Sequence, residues 1–154
     1  MHRTLLLAGA LLALTSGCRA ESPAGGQAQS VALAPLTIET KQGPRTFRVE
    51  IARTGQQQER GLMFRTSLPD RGGMIFPMAP PRLATFWMKN TPLPLDIIFI
   101  RPNGTIARIA ARTTPWSLDP IESGEPVAAV LEIIGGGAEA AGIAEGDKVR
   151  WAER

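Results

Sequence analysis

Histidine, cysteine and tyrosine are almost missing from this chain of 154 residues, which holds one His, one Cys and no Tyr. His2 and Cys18 both stand near the N-terminus. Everything after Cys18 therefore lacks the parts of a Ser-His-Asp triad, of a thiolate nucleophile and of a Cys/His zinc site. A single thiol excludes a disulfide within the chain, so stability has to come from packing. Long apolar runs are missing too. The run Leu5–Leu14 is half of the roughly 20 residues that a membrane-spanning helix needs. Lys and Arg never cluster and the formal net charge is only +3, which speaks against a nucleic-acid partner. Enzyme chemistry, if any, is left to Asp, Glu, Lys, Arg, Ser and Thr, and no cofactor is expected.

What is present begins with an export pattern. Arg3 gives a positive start, Leu5–Leu14 an apolar core, and Thr15-Ser16-Gly17 a small-residue exit. The arrangement resembles a bacterial lipoprotein signal, in which residues 1–17 are removed and Cys18 becomes an acylated (palmitate-type) first residue. Thr15 stands where that pattern prefers an aliphatic side chain, so plain secretion with cleavage near Ala20 is the alternative. Several acyl chains would anchor the protein stably. Arg19, rather than Asp, after the cysteine points to an outer-membrane lipoprotein facing the periplasm. Losing Arg3 with the signal lowers the net charge to +2.

Residues 18–35 read as a tether, rich in Ser, Pro, Ala, Gly and Gln and too polar to build a core. A flexible coil of that length reaches roughly 20–25 Å. Residues 36–154 then read as one β-rich domain. Phe47, Val49 and Ile51 alternate with polar neighbours, and a turn at Gln42-Gly43-Pro44 makes a hairpin with Thr37–Thr40. Thr54 and Gln57 have capping-box spacing for a short helix that Gly61 can end. Short strands follow at 73–76, 83–88, 95–100, 105–112 and 148–151, with a central one at 127–134 and a helical turn at 138–141. About eight short strands with one or two short helices predict a compact β-sandwich or partly closed barrel.

Five words stand in order along this domain: Gly61-Leu62-Met63-Phe64-Arg65, Gly73-Met74-Ile75-Phe76, Phe86-Trp87-Met88-Lys89-Asn90-Thr91, Leu95-Asp96-Ile97-Ile98-Phe99-Ile100, and Val130-Leu131-Glu132 with Gly146-Asp147. Together they resemble the domain of unknown function 192 family from about Val49 to Val149. The resemblance implies a compact β-rich fold and carries no catalytic residues, ligand or cofactor.

Polar groups inside the apolar stretch 61–100 are the candidate site, because burying them is costly unless they pair or bind. Lys89 and Asn90 leave one strand and Asp96 enters the next across a stiff Thr-Pro-Leu-Pro loop, which could hold the three close together. Arg65 could add a planar fork for a carboxylate or phosphate. Glu132 sits between Leu131 and Ile133 and needs a partner. Trp116, on a loop, suits ring stacking, whereas Trp87 reads as core. The competing reading is an internal network, with Asp96 capping the Thr-Pro-Leu-Pro loop and Arg65 paired with Glu132. Met63, Met74, Met78 and Met88 are weak candidates for Cu(I), or flexible core filler. Carboxylate pairs such as Asp96 with Glu132 could serve glycoside cleavage. The expected function is a non-catalytic, lipid-anchored envelope module for a glycan, lipid or protein partner. The alternative is a polymer-modifying enzyme using carboxylate and Lys chemistry.

Overall fold

The structure, a computed structural model, describes residues 33–152. The expected signal, the acylation site Cys18 and most of the tether lie outside the described residues. Nine strands and two short helices run in the order β1 (Leu33–Thr40), β2 (Gly43–Ile51), α1 (Gly55–Arg60), β3 (Gly72–Arg82), β4 (Thr85–Phe86), β5 (Leu95–Ile100), β6 (Ile106–Ala110), β7 (Ile121–Glu122), β8 (Val127–Ile134), α2 (Gly137–Ala140) and β9 (Lys148–Trp151). The main sheet has the order β6-β5-β8-β3-β2-β1-β9, and β4 with β7 forms a small second sheet. All neighbours in the main sheet are antiparallel except β2 and β3. The sheet curls until its edges meet. Thr105 bridges Lys148, and the Ile106 and Val149 amides donate to Asp147 and Gly104 at 2.9 and 2.8 Å. The fold is mainly β, a partly closed barrel.

Local chemistry explains most elements. Thr54 caps α1 by accepting from the Gln57 amide, and the Gln57 side chain accepts in return from the Thr54 amide. Gly61 ends the helix at φ 46° and ψ −133°, a conformation open almost only to glycine. The hairpin turn is Lys41-Gln42, and Pro44 lies inside β2 opposite Glu39. Pro44 is tolerated there because β3 joins β2 only from Arg48 onward, so no second ladder needs its missing N–H. The strand β1 starts earlier than composition suggests. Leu33, Ala34 and Pro35 pair with Glu50, Val49 and Arg48, and Ala34 packs on the core. The expected strand at 83–88 shrinks to the two residues of β4.

Two cores share the sheet. Inside the curl, Leu36, Ile38, Val49, Ile51, Ile75, Ile98, Leu131, Ile133, Val149 and Trp151 pack with Ala138 of α2. On the outer face of β3, β5 and β8 lies the second core, with Met74, Phe76, Met78, Ile97, Phe99 and Val130 covered by Leu62, Ala84 and Met88 from the loops. Burial on both faces explains why β5 is buried at all six positions and β8 reads as nearly continuous apolar sequence.

Candidate functional site

Strand register decides where each acid points. Ile97 pairs with Glu132, Glu132 with Met74, and Met74 with Glu50, so these four side chains form one row on the outer face. Asp96 pairs with Ile133, one position away, and therefore faces the inside of the curl. Asp96 and Glu132 point to opposite sides of the sheet and cannot act as a carboxylate pair.

Asp96 is fully buried and fully occupied. Its carboxylate accepts from the backbone amides of Arg112 at 2.7 Å, Gly136 at 2.9 Å and Ala138 at 2.8 Å. The side chain ties β5 to the loop after β6 and to the triple-glycine turn before α2. It does cap a loop, but not the expected Thr-Pro-Leu-Pro one. That loop lies just ahead of Asp96 in the chain, and the donors come from two distant segments that the curl brings in.

Arg65 also finds a different partner. Its guanidinium forks onto the Glu50 carboxylate at 2.5 and 2.6 Å and thereby pins the 61–65 loop over the outer face. The Glu50 hydrogen bond, and after the opposing effect of burial its charge, hold the Arg65 guanidinium above its ordinary pKa. Glu132 is out of reach behind Met74, two strands from Glu50 and so about 10 Å away.

Glu132 is left alone. It is 5% exposed, and burial pushes its carboxyl from an ordinary 4.5 up to about 8, with no hydrogen bond or ion pair offsetting that effect. It lines a cavity of about 360 Å³ whose walls include Phe76, Phe86, Met78, Leu62 and Trp87. That volume lies in the range of small-molecule sites, roughly 300–1,000 Å³. Phe76 and Phe86 meet edge to face at 5.1 Å, which fixes the aromatic wall. The mouth carries Glu59 and Arg60 from α1, and Arg82 at the end of β3. Gln58 holds α1 in place by donating to the carbonyls of Ala52 and Pro77 at 3.1 and 3.0 Å.

Beside this mouth three loops are joined through backbone bonds. The Phe64 amide donates to Asn90 at 2.7 Å, the Met88 amide to Ser117 at 2.9 Å and the Trp116 amide to Thr91 at 3.2 Å. Phe64, Asn90 and Trp116 all hold positive φ, at 64°, 54° and 65°. Left-handed backbone is costly for bulky side chains and persists where its surroundings impose it. Phe64, Trp87 and Trp116 are largely exposed. Trp87 is thus not core. It alternates with the buried Met88, points outward, and carries Lys89 with its Nζ 5.1 Å from the ring centroid.

The expected convergence of Lys89, Asn90 and Asp96 is not formed. Lys89 is exposed on Trp87, Asn90 faces the Met63 sulfur at 3.9 Å, and Asp96 lies across the sheet. Trp116 stands clear of the core on its loop. Met74, Met78 and Met88 are buried in the outer core, and the Met88 sulfur accepts from Thr113. Among the described residues no group of three His, Cys, Asp or Glu could hold a metal ion. Sequence reasoning missed Phe76, Phe86, Arg60 and Arg82 as site residues. Period-two alternation of Phe86 and Met88 with Trp87 and Lys89 did carry the signal for an outward Trp87.

These features define a single-domain, partly closed β-barrel with a ligand-sized cavity over an unpaired acid. The chain belongs to the DUF192 family, described as "Uncharacterized ACR", whose profile matches residues 36–151. It is similar to a protein of unknown function from Novosphingobium aromaticivorans, 46% identical over 86% of this chain and 94% of that one, with a TM-score of 0.78. It is also similar to a candidate transcription regulator from Sinorhizobium meliloti, 38% identical over 81% of this chain and 98% of that one, with a TM-score of 0.78. The comparison with curated proteins gave no match.

Proposed function

We propose that this protein is a lipid-anchored binding module of the cell envelope, which takes a small amphipathic ligand in the cavity over Glu132. The observation that carries the reading is Glu132 itself: buried, unpaired and facing a cavity with an aromatic wall. An acid without a partner in such a place costs stability, and a ligand that satisfies it recovers that cost. The export pattern ending at Cys18 supports the envelope location and the anchor. No helix among the described residues is long and apolar enough to cross a membrane. Transcription regulation, the description given to the Sinorhizobium relative, gains little support from the geometry. Here α1 and α2 have six and four residues, too short to lie along a DNA groove as recognition helices do.

An envelope polymer-modifying enzyme is the second reading, favoured by Glu59 and Glu132 lining one cavity. One carboxyl is exposed and the other is held protonated, the division of labour that acid–base pairs need. Thermal shift of the full chain against envelope lipids, glycans and peptides tests the first reading. Stabilisation that Glu132→Leu weakens, without turnover of the ligand, supports the module. Turnover lost in both Glu59→Gln and Glu132→Gln would replace it with the enzyme. For the anchor, a Cys18→Ala variant is expected to leave the membrane fraction; unchanged retention would remove the lipid from the account.

A further inference from the structure

We infer that the ligand of this cavity is a small anionic amphiphile: a carboxylate or phosphate head at Arg60 and Arg82, an apolar body on the aromatic wall, and a hydroxyl or carbonyl oxygen meeting Glu132. The inference rests on the binding-module reading and adds the chemical class.

Three observations carry it. First, the polarity of the cavity is ordered from floor to mouth. The floor group Glu132 is buried, whereas Arg60 and Arg82 are exposed, and neither guanidinium has a partner among the described residues. Two free guanidinium groups at one opening suit a planar or tetrahedral oxyanion. Second, Phe76, Phe86, Met78 and Leu62 give the walls an apolar face that suits an apolar body, and of the polar lining side chains Gln58 and Thr91 are spent on backbone carbonyls, which leaves Thr85. Third, the floor acid keeps its proton at neutral pH and so both donates and accepts a hydrogen bond. A hydroxyl matches it fully and a carbonyl oxygen takes its proton.

A cationic amphiphile is the rival, since a lone buried carboxyl could serve as its counter-ion. The charged groups around the acid disfavour it. Arg60, Arg82 and the nearby Lys89 stand at the entrance against Glu59 alone, and beyond Met74 the Arg65–Glu50 pair is self-neutralised. An incoming ammonium would pass a net positive mouth and then have to ionise a desolvated acid.

The test is isothermal titration calorimetry on the full chain at neutral pH, with probes kept below their micelle concentrations. The probes are 10-hydroxydecanoate, decanoate, decyl phosphate, decylamine, 1,10-decanediol and inorganic phosphate. The inference expects 10-hydroxydecanoate to bind about tenfold more tightly than decanoate. Decylamine should bind more weakly than decanoate, and decyl phosphate should bind where inorganic phosphate alone does not, which separates an amphiphile site from a free-phosphate site. The Arg60→Gln/Arg82→Gln double variant should lose about tenfold for the anions and leave 1,10-decanediol unchanged. Glu132→Leu, if folded by circular dichroism, should erase the preference for the terminal hydroxyl and keep decanoate; Glu132→Gln, which retains a donor and an acceptor, should keep the preference. Decylamine binding as tightly as decanoate, anion binding untouched by the double Arg variant, or inorganic phosphate binding as tightly as decyl phosphate would overturn the anionic class and spare the cavity as a binding site. No binding by any amphiphile, with Glu132→Leu folded and unchanged in thermal shift against the wider panel, would overturn the binding reading as well.

Discussion

Asp96 and Glu132 are two buried acids on neighbouring strands, one register position apart, and they have opposite fates. Asp96 turns into the curl and takes three backbone N–H donors, from the loop after β6 and from the start of α2 with the residue before it. Glu132 turns outward and takes none, so its carboxyl stays protonated at neutral pH. Occupied acids organise a fold, and unoccupied ones mark a place where something else is expected to bind. The pleat of the sheet, which sends adjacent positions to opposite faces, is all that separates the two roles.

The comparison breaks first at Asp96. Asp96→Ala would strand three amide donors, that of Ala138 fully inside, and should cost about 3 kcal/mol or more in urea unfolding. Glu132→Gln should cost nothing or stabilise at neutral pH, because it removes a desolvated acid without removing a partner. Equal losses at both positions would erase the distinction.

The second prediction concerns pH. Glu132 keeps its proton to about 8 when folded and releases it near 4.5 when unfolded. Between those values the unfolded chain binds fewer protons, so stability falls as pH rises through that window and levels off above it. The groups nearby, Glu59, Arg60, Arg82 and the Arg65–Glu50 pair, are the same in Glu132→Gln, so the difference between the two proteins isolates this carboxyl. Wild type minus variant should change by a few kcal/mol from pH 4.5 to 8, on the order set by about 1.4 kcal/mol per pH unit. A flat difference would mean that Glu132 is already paired or solvated.

Smaller effects sharpen the outer face. Arg65→Ala leaves Glu50 partly exposed and able to hydrate, so about 1 kcal/mol should be lost. The loop it pins should exchange its amide hydrogens faster. Trp116→Gly is the smallest case. It removes an exposed side chain from a left-handed backbone and should change stability by less than about 0.5 kcal/mol, a gain being compatible with relief of strain. A loss above about 1 kcal/mol would show that Trp116 is a core anchor.

The same contrast shows what periodicity reveals. The capping box at Thr54 and Gln57, the central strand β8 and the final strand β9 are local patterns, and all are legible in the chain. Glu132 as an acid inside an apolar strand, in need of a partner, was legible too. Its lack of one was not, since Arg65, the partner expected for it, is claimed by Glu50 through the parallel pairing of β2 and β3. Such a pairing joins strands separated by α1 and a long loop, and nothing in either strand announces it. The donors of Asp96 were hidden for the same reason, arriving from residues 112, 136 and 138. Arg60 and Arg82 carry no local signal at all, because a solvated arginine and a mouth arginine look alike in sequence.

The claim that Glu132 is an unpaired site acid is tested most directly by its own titration, followed through the side-chain carboxyl carbon by NMR in the ligand-free protein. The account predicts a midpoint near 8 that shifts when 10-hydroxydecanoate occupies the cavity. A midpoint near 4.5, unmoved by any ligand, would contradict it.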